Sequence, residues 1–266
     1  MNKQWIWIFL ALWTMSCGSV EIRTEGIDLE SARIIDLSYS YDQTTLYWPT
    51  SPSPFELTEI AYGPAEGGYF YSAYSFCTPE HGGTHIDAPI HFAEGGRTVG
   101  EIPLRHLIAK AVVIDMSKQA EADPDARLDA ASVRAWEERN GEIPEGAIVI
   151  LRTGWGSRWP DAIAYLGDDT PGDASNLHFP GYGEEAARFL VEQRHVGALG
   201  IDTASIDFGQ SKDFIVHQVA TGAGVPGLEN VANADELPEK DFWIVALPMK
   251  IGKGSGGPVR IAALIP

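Results

Sequence analysis

The chain has 266 residues, 44% of them hydrophobic, and carries 19 basic against 37 acidic side chains, a formal net charge of −18. That apolar content excludes an intrinsically disordered chain and suits a sizeable core. The acidic balance excludes nucleic acid as a partner, because phosphate recognition needs a surplus of lysine and arginine.

Residues 1–17 read as an export signal. Lys3 sits in a short polar start, and the apolar run at residues 5–13 is too short to span a bilayer comfortably. Cys17, directly after Ser16 and before Gly18 and Ser19, resembles a bacterial lipoprotein processing site, although Thr14 stands where that pattern usually has leucine. The expectation is an exported protein, periplasmic or held to a membrane by a lipid on Cys17; lipidation and plain signal cleavage both stay open. Loss or lipidation of Cys17 leaves Cys77 with no intramolecular disulfide partner. Residues 18–32 then form a tether and residues 33–266 a single domain.

Residues 32–37 form a short apolar run typical of a strand, followed by a proline- and aromatic-bearing loop to Pro54. Residues 67–76, rich in aromatics and β-formers, predict a strand that delivers the chain to a histidine-rich stretch. Residues 102–107 read as a turn or short helix, 111–116 as a buried strand, and 129–140 as a helix ended by Gly141. Strands are expected at 147–153, 196–202, 242–248 and 259–265, with helical spacing at 184–193. Helices between strands make this a mixed α/β single domain, whose strand order the pattern leaves open.

The densest chemistry lies at residues 81–92, where His81, His85, Asp87 and His91 fall within twelve positions. Imidazole nitrogens with a carboxylate oxygen are a ligand set for borderline divalent ions such as zinc and manganese. His85 and Asp87, two apart, share a face if the segment is extended, and His81 joins them if Gly82 and Gly83 turn the backbone. Pro89 disfavours a regular helix here. Downstream, His217 and Glu229 flank a glycine- and proline-bearing segment able to fold back and bring both side chains to one point.

The pattern His-x-Gly-Thr-His-x-Asp-x-Pro-x-His at 81–91 resembles the signature of the metal-dependent cyclase family, which includes bacterial kynurenine formamidases and isatin hydrolases. The resemblance extends from about residue 33 to the C-terminus. It takes in the opening segment 34–38 with Trp48-Pro49, residues 214–217 with Glu229-Asn230, and the closing segments 247–251 and 254–260. It implies a compact α/β domain with a mixed, barrel-like sheet flanked by helices, commonly dimeric or tetrameric. It also implies that His81, His85, Asp87, His217 and Glu229 hold one or two divalent ions, zinc or manganese, with His91 as general acid/base. The expected reaction is hydrolysis of an amide or lactam of a small aromatic molecule by metal-activated water. Alternatives are a ring-closing cyclase or lyase, and a non-catalytic metal- or solute-binding lipoprotein.

Trp48, Phe70, Tyr71, Tyr74, Phe76 and Trp155 fall near the expected metal end of the sheet, and most are expected in the core. Trp48 and Phe76 are the candidates for stacking on a substrate ring. Arg152, Thr203, Ser205 and Asp207 are expected to satisfy backbone groups in preference to binding substrate.

Overall fold

The structure, a computed structural model, describes residues 27–266. The expected export signal, Cys17 and residues up to 26 lie outside the described part. The strands are β1 (Arg33–Asp36), β2 (Glu56–Pro64), β3 (Phe70–Cys77), β4 (His85–Asp87), β5 (Ile108–Asp115), β6 (Arg127–Leu128), β7 (Ile148–Arg152), β8 (Gly181–Tyr182), β9 (Ala198–Ile201), β10 (Gly227–Glu229), β11 (Phe242–Pro248) and β12 (Gly256–Ile265). The helices are α1 (Leu104–Leu107), α2 (Ser117–Ala122), α3 (Ala130–Asn140), α4 (Ala162–Leu166), α5 (Glu184–Arg188) and α6 (Ile215–Gly222).

One sheet dominates, in the order β1-β12-β11-β5-β7-β9-β10-β4, and β4 also pairs with β12. That extra pairing closes the strands from β12 to β4 into a seven-stranded barrel, with β1 appended at the edge. The run β5, β7, β9, β10 is parallel, whereas β4, β11 and β12 pair antiparallel with their neighbours. The expected mixed, barrel-like α/β domain is therefore what forms.

The sequence of the parallel strands explains their place. Strand side chains alternate between faces, so a strand covered on both sides reads as a continuous apolar run. In β5 and β7, Val113, Ile148 and Ile150 join the cluster that fills the barrel. Val112, Ile114, Val149 and Leu151 join a second cluster, packed under α3, α5 and α6 with Trp136, Ala186 and Val219. Gly200 lies beside Ile150 on the neighbouring strand, where an added Cβ would sit 2.4 Å from the Ile150 δ1 methyl. A small residue there makes room for a large one, which is how a narrow barrel is filled.

Among the elements not apparent in the sequence, β4, β10 and β2 bear on the site or the surface. β4 and β10 have three residues each, too few for a period to register. β2 is exposed along most of its length and carries a register shift between Glu59 and Ala61, so its alternation is broken. Among the described residues it pairs only with β3, and this two-stranded hairpin stands apart from the barrel sheet. Its aromatics correct an expectation: Phe70, Tyr71, Tyr74 and Phe76 are exposed, whereas Trp155 is buried as expected. No helix among the described residues is long and apolar enough to cross a membrane.

Candidate metal centre

The site forms where β4 and β10 pair, at the C-terminal end of the parallel strands. In β4, Ile86 enters the barrel core, so the strand alternation turns His85 and Asp87 together to the opposite face. Register places Glu229 directly across from His85. His217 arrives from the first turn of α6, and the chain reaches His81 through Gly83, whose φ of 55° suits glycine.

These side chains converge on Asp87. Its Oδ1 lies 2.6 Å from His81 Nδ1 and 3.3 Å from His85 Nε2, and its Oδ2 lies 3.0 Å from His217 Nε2. Glu229 spans the same histidines, with Oε2 3.3 Å from His85 Nε2 and Oε1 3.2 Å from His217 Nε2. His91 stacks on His81, ring centroids 3.9 Å apart and 20° from parallel. Among the described residues, two groups bring ligand atoms within 4.8 Å of one another: His81, Asp87 and His91, and His85, Asp87 and Glu229. Asp87 belongs to both.

The neighbours of the histidines fix which nitrogens face inward. His85 Nδ1 donates to the Gly83 carbonyl at 3.0 Å, and that carbonyl is held by Asn230 Nδ2 at 2.7 Å. Asn230 is itself held by the Tyr165 hydroxyl, 2.9 Å from its Oδ1. His217 Nδ1 donates to Asp207 Oδ2 at 2.7 Å. With Nδ1 committed to its acceptor in both rings, Nε2 is the nitrogen that faces the carboxylates, offering a lone pair whenever the ring is neutral. Lone pairs of His85 Nε2, Asp87 Oδ1 and Glu229 Oε2 thus meet in a buried space, an arrangement that requires a cation or protons between them.

The electrostatics have the same origin. Burial disfavours a charged His85, but hydrogen bonds to Asp87 and Glu229 outweigh it and raise the imidazole to about 10. His217 is raised well above its usual value, against burial, by Asp207, Asp87 and Glu229. Burial would also lift Asp87, yet hydrogen bonds with His217, His81 and His85 hold it well below the carboxylate range. Glu229 is lowered too, by His217 and His85 against burial and the Asp87 charge. Two buried carboxylates among imidazoles with inward lone pairs fit a divalent cation, which would neutralise both without protonating the rings.

The centre opens into a cavity of about 260 Å³, walled by Leu46, Trp48, Phe92 and Phe214. Phe214 sits 6.0 Å from Trp48 and 5.5 Å from Phe92 between ring centroids. Pockets for drug-sized ligands run to roughly 300–1,000 Å³, so this one suits a small molecule with an aromatic face.

The Cyclase family model matches residues 35–208. The chain belongs to the cyclase family. The isatin hydrolase of Roseibium aggregatum is 38% identical over 196 residues, covering 70% of this chain and 72% of that protein. The kynurenine formamidase of Paracidovorax citrulli is 30% identical over 194 residues, covering 70% and 76%. A crystal structure of an isatin hydrolase bound to the product analogue thioisatinate superposes with a TM-score of 0.81 at 30% identity, covering 89% and 94% of the two chains.

In this cyclase-family chain, the structure brings together His81, His85, Asp87, His91, His217 and Glu229, and puts Trp48 in the cavity wall. Phe76 is placed elsewhere, on the hairpin against Phe55 at 6.2 Å. Arg152 binds Asp115 and the carbonyls of Ala234 and Leu237, and Thr203 donates to backbone carbonyls, as expected. Asp207 accepts from the backbone of Val216 and His217 but also holds the His217 ring, a role the sequence reading missed. Its carboxylate ten residues before a candidate histidine ligand was the available signal. Phe92 and Phe214, each adjoining a candidate residue or within three of one, were also missed.

At neutral pH a cation entering the centre must displace the proton that His85 carries up to about pH 10. Apparent affinity for a divalent ion should therefore rise as pH rises from 6 to 9, by about tenfold per unit for each proton released. Calorimetric titration in buffers of different ionisation enthalpy measures that release. Binding with no proton release and no pH dependence would contradict this protonation scheme.

Proposed function

We propose that the chain hydrolyses the C–N bond of a small aromatic lactam of the isatin type, using a divalent ion, zinc or manganese, held by His81, His85, Asp87, His217 and Glu229. The carrying observation is the buried convergence of His85 Nε2, Asp87 Oδ1 and Glu229 Oε2 at the floor of an aromatic-walled cavity. The likeness to isatin hydrolase and kynurenine formamidase supports a metal-dependent amidohydrolase acting on non-peptide C–N bonds. The higher identity to isatin hydrolase favours the lactam, with an aryl formamide as the second reading.

When bound, the cation supplies Lewis acidity, which polarises a carbonyl and makes water a better nucleophile at neutral pH. The remaining work falls to the chain. Burial, the largest influence, pushes His91 down to about 4, so it meets the substrate neutral and able to accept a proton. We assign His91 to take the water proton as oxygen adds to the carbonyl carbon, then return it to nitrogen as the C–N bond breaks. Ring opening of a lactam leaves a carboxylate and an amine on one product, the second proton of the water passing to solvent. Trp48, Phe92 and Phe214 offer faces to the substrate ring and keep bulk water from the reacting bond.

Two further readings concern the whole protein. The hairpin of β2 and β3 exposes Leu57, Ile60, Tyr62, Phe70, Tyr71 and Phe76. So many exposed apolar side chains on one hairpin support assembly into a homodimer or homotetramer through this arm. The apolar run at residues 5–13 and Cys17 support export, with a lipid on Cys17 as the membrane anchor.

An ultraviolet assay of metal-loaded protein against isatin and N-formylkynurenine tests the reaction, and turnover of neither would overturn it. His91→Ala should keep its metal and lose about 100-fold or more in kcat; loss of metal instead would make His91 a ligand. Asp87→Ala should lose both metal and activity. Light scattering of the native chain and of Ile60→Lys/Phe70→Lys should show an oligomer and a monomer respectively, and a monomeric native chain would refute the assembly. The mass of the mature N-terminus should correspond to a start at Cys17 plus lipid, whereas an intact Met1 would rule out export by this signal.

A further inference from the structure

The third histidine facing Asp87 is held differently from the other two. His85 and His217 each donate from Nδ1 to a fixed acceptor and turn Nε2 inward. His81 turns Nδ1 inward, 2.6 Å from Asp87 Oδ1, and its Nε2 lies 2.9 Å from the Ser255 hydroxyl. A hydroxyl has one hydrogen and two lone pairs, so Ser255 can serve either ring tautomer. What decides is where its single hydrogen goes.

Glu80 takes it. Its Oε2 accepts from Ser255 Oγ at 2.7 Å and from the Ser255 backbone N–H at 2.9 Å. The Ser255 carbonyl is occupied as well, accepting from Ala88 N–H at 2.8 Å. The hydroxyl then faces His81 as an acceptor only, so Nε2 must carry a proton and stays committed to Ser255, and Nδ1, which shares a proton with Asp87 Oδ1 at 2.6 Å, is the nitrogen at which a metal can take that proton's place. We propose that Glu80 and Ser255 are positioning residues that select Nδ1 as the His81 atom presented to the metal, an inference that rests on the metal-centre reading above.

The backbone is shaped to hold this arrangement. Ser255 precedes Gly256, which pairs with Asp87 where β12 meets β4 and the barrel closes. A Cβ on Gly254 would lie 2.6 Å from Glu80 Oε1, and one on Gly256 would lie 2.6 Å from His81 Cε1. The serine is thus carried between two positions where a side chain would push Glu80 or His81 away. Outer hydrogen-bond partners of ligating histidines typically contribute about 10–100-fold to metal affinity.

Zinc alone is the probe, with ¹⁵N-histidine-labelled protein and nuclear magnetic resonance as the readout. In the native chain, His81 should show zinc on Nδ1 and a proton on Nε2, with the reverse in His85 and His217. Ser255→Ala and Glu80→Ala should each weaken zinc by about 10–100-fold while the His85 and His217 signals keep their pattern. Glu80→Gln, whose amide oxygen still accepts from Ser255, should hold zinc near the native level. Zinc on Nε2 of His81, undiminished affinity in folded Ser255→Ala, or a loss in Glu80→Gln as large as in Glu80→Ala would each overturn the proposal. The native-chain shifts decide the matter even where a variant fails to fold. Native protein that binds no zinc would overturn the metal-centre reading, and this inference with it.

Discussion

Two carboxylates, Asp87 and Glu229, are buried side by side among imidazoles. Removing a carboxylate from water costs several kcal/mol, and two close together repel each other as well. The structure meets that constraint by surrounding them with groups that either carry positive charge or can ligate it. Asn230, Asp207 and the Glu80–Ser255 pair each act on one histidine. They are outer supports whose purpose lies in how that ring is turned.

The fold makes the crowding feasible. Parallel strands from β5 to β10 give a rigid wall, and the antiparallel β4 brings His85 opposite Glu229. Alternation on β4 separates the two environments cleanly. Ile86 belongs to the apolar barrel, and the residues on either side belong to the charged centre. A one-residue slip in this pairing would exchange them, so the hydrophobic core itself fixes the register of the ligands.

Much of this was legible in the sequence because it is local. His85 and Asp87 are two apart, and an extended segment puts them on one face without knowledge of the rest. The long strands β5, β7 and β11 announced themselves by continuous apolar runs. What stayed hidden depends on distant closure. Ser255 meets His81 across 174 positions, and no local period marks a serine between glycines as a histidine's acceptor. The hairpin aromatics were misread for a related reason. An aromatic-rich strand has the same composition whether its rings fill the protein's own core or face outward, as these do.

The barrel seam is the shortest part of the sheet. β4 contributes only three residues, yet it joins β10 on one side and β12 on the other. An ion bound to residues of β4, β10 and α6 would act as a clasp across that seam, adding to the folded state a stabilisation set by its concentration relative to its dissociation constant. Chemistry and mechanical closure would then share one fastening: the ion that serves the reaction would also hold together the loop and strand that form the reactive floor.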